Sequence, residues 1–532
     1  MSRAIGWSAG PGGPAWRFQA AQALAAAAAA VLIAWLPLPL AAAIVIGGAA
    51  AALALHDPAF AVAAAILSVP VQDLVQLPGG LSVTQACLLL GLVSLALRTL
   101  LYPERLLPLG PLFWPLAIFV WWLGVSAAFT PFSLSEGLRE TLRWSTVLLI
   151  YLLTLAALER DSALAGTGGS RAAPTHLPSW RLLLILACLL IAPAGNALLG
   201  IWQFVVGAGP ESFAIAGGRA RAFGTIGQPN SFAGYMNQVW PLAAGLSIFA
   251  LFTLLQRLSS SVRQGVAPPA RALLLPLLVL GVAGGAAALT VGALIASFSR
   301  GGWVGALVGG LVLTLATLPA LEQPLRRLVR RLLISGLLGA VLVLALGGGG
   351  LLPASLAQRL SSITANLRLF DVRGVMVTPE NFAVVERMAH LQAGWNMLRA
   401  RPLLGVGPGN YSSAFEQPPA VNIPRFTTRP WYESRGHAHN YYIHIAAETG
   451  LVGVLAYLGL LGAVALQAWR SVRRARSWLW RGVAVGGAGV VAAVAAHNIF
   501  ENLHVLNMGL QLGTIWALMT VIAQDGSRSG QW

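Results

Sequence analysis

Long apolar runs recur along almost the whole chain, separated by short stretches rich in Pro, Gly and Arg. A helix needs about 20 apolar residues to cross a bilayer. Runs of this kind predict spans near 19–37, 39–55, 59–76, 82–101, 110–129, 138–157, 181–206, 231–255, 271–297, 302–320, 332–350, 441–468, 482–499 and 506–523. The third is the weakest, because Pro58, Pro70 and Asp73 crowd it. The first is Ala-rich like a signal peptide, but no small-residue cleavage site precedes the next span, so it reads as a helix. The pattern predicts an all-α fold, a polytopic transmembrane helix bundle of about 12–14 spans with one large extracytoplasmic loop. It divides the chain into N-terminal transmembrane helices (1–206), central transmembrane helices with Arg-bearing outer loops (207–350), the large loop (351–440) and C-terminal transmembrane helices (441–532). The large loop is not low-complexity. It carries Trp395, Phe415 and Trp431 and predicts an amphipathic helix over 381–400, so partial order is expected there.

Composition supports a membrane protein. Of the 532 residues, 57% are hydrophobic and 10% charged, against a charged share of about 25% in ordinary soluble domains. That much apolar surface also excludes disorder. The 34 cationic residues are all arginine, and the net charge is +17. In a soluble chain this would suggest nucleic acid; here it fits membrane topology and predicts no nucleic-acid partner. With the N-terminus in the cytoplasm, the inward loops hold Arg98 and Arg105; Arg160, Arg171 and Arg181; Arg257, Arg263 and Arg271; Arg326, Arg327, Arg330 and Arg331; and Arg470, Arg473, Arg474, Arg476 and Arg481. Cys87 and Cys188 both lie in apolar runs, which argues against a disulfide framework.

Arginines left on the outer side are the informative ones. Arg219 and Arg221 lie in the outward loop 207–230, Arg300 in the very short Ser-Arg-Gly-Gly junction, and Arg387 in the helix of the long loop. Any one of them can simply snorkel to lipid headgroups. Arg139 and Arg143 fall at an outer edge beside Glu136 and Glu140, where structural pairing is the expectation. Arg300 is held at the bundle surface by two helices, and its planar fork suits a phosphate. The stretch Arg219–Asn230 ends in a Pro-Asn helix start, which reads equally as an anion-binding loop or as a plain capped loop.

A third cluster, Gly436–Gly450, enters a span from outside. Asn440, His444 and Glu448 are spaced as one helical stripe, and His437 and His439 sit just above them. Ionisable residues inside a membrane helix are costly and usually functional. A histidine at the membrane edge can take a proton near neutral pH. The alternatives are a buried interhelical polar network, or a metal site from His437, His439 and His444, whose spacing is a weak zinc pattern. His497, Asn498, Glu501 and Asn502 form another polar group at an outer span end.

Four islands in order resemble the O-antigen ligase family of bacterial membrane glycosyltransferases, which also includes O-antigen polymerases and protein O-oligosaccharyltransferases. They are Arg219–Asn230 followed by Ser-Phe-Ala-Gly-Tyr; Ser299-Arg-Gly-Gly302; Arg387 through Trp395 to Arg401-Pro-Leu-Leu-Gly-Val-Gly-Pro-Gly409; and His439-Asn440 followed after nine residues by Gly450. Where ligases often continue Gly-x-x-Thr, this chain reads Gly450-Leu-Val-Gly453. The resemblance implies a helical bundle in the bacterial cytoplasmic (inner) membrane, with its active site on the periplasmic face. It implies transfer of a glycan from an undecaprenyl-diphosphate carrier to an acceptor hydroxyl on a lipid, glycan or protein, by an inverting reaction that needs no metal and no cofactor. Membrane lipids are the other expected partners.

Carried onto this sequence, Arg300 and Arg387 are the expected diphosphate-binding pair, with Arg221 and then Arg219 assisting. His439 is the expected base, with Asn440 orienting it; His437 is the weaker candidate, and His444 and Glu448 support. Trp395, Trp431, Tyr441 and Tyr442 offer stacking surfaces for sugars. Two rivals remain: a polysaccharide polymerase of the same family, and a solute transporter sharing the domain, whose site would lie near the bilayer midplane.

Overall fold

The computed structural model describes residues 35–72, 82–101, 108–166, 178–215, 217–348, 381–416 and 437–528, with isolated positions at 30, 31, 74, 371, 372, 375, 376 and 378. The expected span at 19–37 and the loop residues around Trp431 lie largely or wholly outside these. The helices are α1 (Leu38–His56), α2 (Pro58–Ser68), α3 (Val83–Leu101), α4 (Phe113–Ala128), α5 (Leu134–Gly166), α6 (Trp180–Val206), α7 (Pro229–Asn237) and α8 (Trp240–Gln264). They continue with α9 (Ala270–Ala296), α10 (Arg300–Thr317), α11 (Gln323–Gly348), α12 (Phe382–Ala400), α13 (Tyr411–Glu416), α14 (Tyr441–Arg474), α15 (Trp478–His497) and α16 (Gly509–Arg528). Among the described residues the only sheet is a two-residue hairpin, β1 (Ala214–Ile215) with β2 (Arg219–Ala220).

Among the described residues, seven helical stretches are long and apolar enough to cross a membrane: 134–158, 180–206, 229–264, 270–296, 300–320, 441–474 and 478–497. Shorter apolar helices, among them 58–71, 83–97, 113–128 and 509–524, pack beside them. The chain is therefore an all-α polytopic bundle. Two expected spans differ in detail. The run at 59–76 is a short α2 followed by a single 3-10 turn. The run at 231–255 is two helices, α7 and α8, broken at 238–239 ahead of Pro241, whose ring cannot join a continuous ladder.

Several helix starts are fixed by side-chain caps. Asp57 accepts from Ala59 N, Ser179 from Leu182 N, Ser299 from Gly302 N, Asn440 from Ile443 N and Ser477 from Trp480 N. Asp57 also takes a buried ion pair from Arg181 Nε at 2.9 Å, which ties the start of α6 to the α1–α2 junction. The expected pairing at the start of α5 is present as Arg139–Glu136 (2.7 Å) and Arg143–Glu140.

α15 is buried between α10 and α8 through small residues, the usual way membrane helices approach closely. A Cβ at Gly309 would lie 2.7 Å from Ala493 Cβ, and one at Gly486 would lie 2.6 Å from Leu242 Cα. By contrast, α9 and α10 turn most of their surface outward. Successive long helices alternate in direction, so α6, α9 and α15 end where α7, α10 and α14 begin. The loops 207–228, 297–299, 437–440 and 498–508 meet at that end, and α12 packs there against α14. Ala222 N bonds Ala296 O (2.9 Å) and Tyr441 N bonds Asn498 O (2.8 Å), which stitches the loops together.

Candidate functional site

The site grows out of short, tightly tied loops. Ser297, Phe298 and Ser299 turn the chain from α9 into α10, with Phe298 in the left-handed region at φ 52°. Arg221 reaches across to this turn: its Nε donates to Ser297 O at 2.8 Å, and its Nη2 donates to Asn230 Oδ1 at 2.9 Å. Asn230 in turn donates from Nδ2 to Glu501 Oε2 at 2.9 Å. The other oxygen of Glu501 pairs with His437 Nε2 and faces His439 Nδ1 at 3.9 Å. One chain of contacts thus runs from Arg221 through Asn230 and Glu501 to the two histidines.

Electrostatics put the other arginines in the same place. Burial lowers the Arg221 pKa, the Arg387 charge lowers it further, Glu501 raises it, and Arg300 adds a smaller downward push. Arg387 acts on His439 as well. Burial is the main reason the His439 pKa falls to about 4; Glu501 opposes the fall, while His437 and Arg387 add to it. Burial alone would raise the Glu501 carboxyl, but its histidine neighbours hold it at about 2. Glu501 is therefore a carboxylate and His439 a neutral imidazole at pH 7.

Of the sequence-predicted residues, Arg221, Arg300, Arg387, His437 and His439 share one neighbourhood. Arg300 is exposed at the first position of α10. Arg219 is exposed and lies over the Phe204 ring at 5.1 Å, a stacked surface position. Asn440 caps α14 by accepting from Ile443 N, so its side chain is occupied with helix geometry. His439, just before this cap, sits at φ 50°, a strained value for a non-glycine residue. His439 is 18% exposed at its side chain, and its Nδ1 makes no hydrogen bond.

His444 and Glu448 face the protein interior. His444 Nε2 lies 3.5 Å from Glu448 Oε1, and Glu448 accepts from Tyr411 N at 3.1 Å. Their stripe thus holds α13 against α14 as a buried interhelical polar contact. The Gly301-Gly302 pair has a similar explanation: a Cβ at Gly301 would lie 2.7 Å from Phe500 Cβ, and one at Gly302 would lie 2.8 Å from Ala233 Cβ. The groups that approach these glycines are protein side chains.

Glu501 and His390 were not singled out by the sequence. Glu501 appeared only within a polar group at a span end, and nothing in its spacing joined it to His437. His390 stacks on Phe415 (ring centroids 4.6 Å apart) and meets the His439 ring edge-on at 5.5 Å. Burial, then the two neighbouring histidines, push its pKa down to about 3. Its helical register beside Arg387 was the available signal. Trp395 is 51% exposed on α12, and Tyr442 donates to Ala495 O at 2.9 Å.

The fold and the polar end of the bundle define an integral membrane protein with a charged cluster built from helix junctions. Residues 285–458 match the O-antigen ligase family model, and the match supports membership of that family. The matched region contains Arg300, Arg387, His439 and Gly450, while Arg221 and Glu501 lie on either side of it. The family is one of membrane glycosyltransferase-like ligases and polymerases, acting on lipid-linked glycans and an acceptor. No curated protein matches the chain.

Proposed function

We propose that the chain transfers a glycan from an undecaprenyl-diphosphate carrier to an acceptor hydroxyl at the outer face of the bacterial cytoplasmic membrane. The observation that carries this reading is the chain of contacts at one end of the bundle, from Arg221, bonded to the turn just before Arg300, through Asn230 and Glu501 to His437 and His439. Negative charge builds on the leaving diphosphate as the glycosidic bond breaks. Fixed guanidinium groups stabilise it without reorganisation, and so without a divalent ion. A transporter would place its charges near the midplane, whereas these gather at helix ends.

His439 takes the proton of the acceptor hydroxyl as the sugar carbon is attacked from the face opposite the diphosphate, giving inversion. Glu501 lies toward Nδ1, so a proton carried there leaves the Nε2 lone pair for the acceptor. Burial chiefly keeps His439 neutral, and the Arg387 charge adds to this and so weakens it further as a base. A bound diphosphate would screen that charge, so the base strengthens when the donor is in place.

The test is transfer by purified protein in detergent with EDTA, using an undecaprenyl-diphosphate glycan from the native host. Transfer is expected to survive EDTA and to fall at least 100-fold, on the order expected for loss of a general base or a charge-stabilising group, in His439→Ala and Arg300→Ala. The product mass separates ligation from chain extension. Wild-type protein that is inactive with a competent donor would favour the transporter reading, to be checked by solute uptake in vesicles.

A further inference from the structure

The polar end of the bundle also has the donor set of a transition-metal site. His437, His439 and Glu501 each offer one ligand atom, and these atoms all lie within 4.8 Å of one another. Glu501 Oε1 touches His437 Nε2 and faces the buried His439 Nδ1 across 3.9 Å without a hydrogen bond. That gap is wider than a hydrogen bond. A tetrahedral Zn2+ with ligands about 2.0–2.1 Å away spaces them roughly 3.3 Å apart, so small ring shifts, outward for His437 and inward for His439, would seat the ion. Three further features suit an ion. Glu501 Oε2 is held by Asn230, the outer support a ligating carboxylate normally has. His437 is 30% exposed at its side chain, which gives an entry path and room for water as a fourth ligand. His439 is locked in a strained left-handed backbone, so the ring that faces Glu501 is preset.

A second triad, Glu386, His390 and His439, shares the middle histidine. His390 is buried and stacked on Phe415, and nothing comparable to the Asn230 support of Glu501 is seen for Glu386 among the described residues.

We propose that His437, His439 and Glu501 bind a divalent transition metal of the Zn2+ type, and that the bound ion shuts off the base. The second clause rests on the role of His439 proposed above. The chemistry is a competition for one ring. An ion on Nδ1 of a neutral imidazole leaves the hydrogen on Nε2, and that nitrogen can no longer accept the acceptor's proton. No bond to substrate is made or broken by the ion; the proton otherwise carried on Nδ1 moves to Nε2, and the ring stays neutral. Arg221 and Arg387 oppose a cation here, so the site is reversible and suited to control by metal supply.

The experiment titrates EDTA-stripped, full-length protein in detergent with Zn2+ against a chromophoric chelator, and with Co2+ followed by its visible d–d absorption. One ion per chain is expected, with a tetrahedral Co2+ spectrum. Affinity should fall at least tenfold in His437→Ala and in Glu501→Gln, and stay within threefold in Glu386→Gln. His437 is partly exposed, so its variant tests the site even if Glu501→Gln misfolds, as judged by gel filtration.

In the transfer assay Zn2+ should inhibit wild type and EDTA should restore it. The residual transfer of His437→Ala should be less sensitive to Zn2+ by the same factor as its lost affinity. Binding unchanged in both His437→Ala and Glu501→Gln overturns the site. Stimulation by Zn2+, or binding without inhibition, overturns the switch. If wild type shows no transfer under any condition, the glycosyltransferase reading fails, while the titration still decides whether the metal site exists.

Discussion

His504 is a basic ring in a place that has no use for charge. It stacks on Trp144 and Tyr441, with ring centroids 4.6 and 4.5 Å apart, and its Nε2 meets the Tyr457 hydroxyl at 3.3 Å. Burial pushes its pKa down to about 3, and the Arg143 charge adds to the fall. In an unfolded chain the same ring titrates near 6.5. Above that value both states are neutral and the ring favours neither. Below it the unfolded state gains a proton that the folded state refuses, so stability falls steadily as pH drops toward about 3. Between pH 7.5 and pH 5 this one ring contributes a loss on the order of 2 kcal/mol. The thermal midpoint in detergent should therefore drop less over that range in His504→Phe than in wild type. An equal drop in both would show that His504 does not set the acid sensitivity. The sequence pointed to His437, His439 and His444 because they lie beside Asn440. It gave no weight to His504 or His390, since a neutral buried histidine is recognised by partners such as Trp144 and Phe415 that lie far away along the chain.

At the scale of elements, α14 shows how a short motif can be legible while its cause is not. The spacing from His439-Asn440 to Gly450 carried part of the family resemblance. In the structure Gly450 breaks α14, with φ 70° and ψ −171°, a conformation open essentially only to glycine. The break frees carbonyls of the preceding turn, and the 401–409 loop docks on them. Val406 N bonds Ala447 O (3.0 Å), Gly407 N bonds Glu448 O (2.8 Å), and Leu451 N bonds Pro402 O (2.7 Å). From the other side, Trp122 Nε1 in α4 bonds Thr449 O at 2.9 Å, and Ser126 Oγ bonds Leu404 O at 2.7 Å. Two of the four islands are therefore one interlock, and a one-dimensional pattern cannot show that Gly405 admits the Glu448–Thr449 backbone while Gly450 admits that of Leu403–Leu404. A Cβ at Gly450 would overlap the Leu403 carbonyl. The strained conformation alone costs about 1–3 kcal/mol in an L-residue, and the overlap adds to that. Gly450→Ala should lower the thermal midpoint sharply and reduce transfer, because the loop that follows the Arg387 helix loses its seat. Gly462→Ala, twelve residues on in the same helix with open space around it, should leave both unchanged. Similar losses in the two variants would mean that the interlock does not matter.

The molecule as a whole is polarised along its axis. One end carries Arg257, Arg263 and Arg271 at the α8–α9 junction, Arg326, Arg327, Arg330 and Arg331 in the first turns of α11, and Arg470, Arg473, Arg474, Arg476 and Arg481 around the α14–α15 junction. Few of these have an acidic neighbour in sequence, so snorkelling and the membrane's own charge asymmetry are what make their placement favourable. Among the described residues the other end has fewer arginines; there Arg300 and Arg387 lie near Arg221, which is tied through Asn230 to Glu501, and Arg387 also acts on His439. Loop charge sets orientation through its cytoplasmic excess, so the first end should face the cytoplasm and the convergent site the outside. This expectation comes from sequence alone, because it depends on summed charge per loop and tolerates one miscounted span near residues 39–76. Cysteine labelling reads it directly. In a Cys87→Ser/Cys188→Ser background, Glu211→Cys lies on the exposed 3-10 turn of the 207–228 loop, and Ser260→Cys lies exposed near the end of α8. A membrane-impermeant maleimide should label Glu211→Cys in intact cells and Ser260→Cys only after permeabilisation. The reverse pattern would put the arginine–histidine site in the cytoplasm, where an undecaprenyl-linked glycan displayed on the outer leaflet cannot reach it, and the proposed transfer would fall with it.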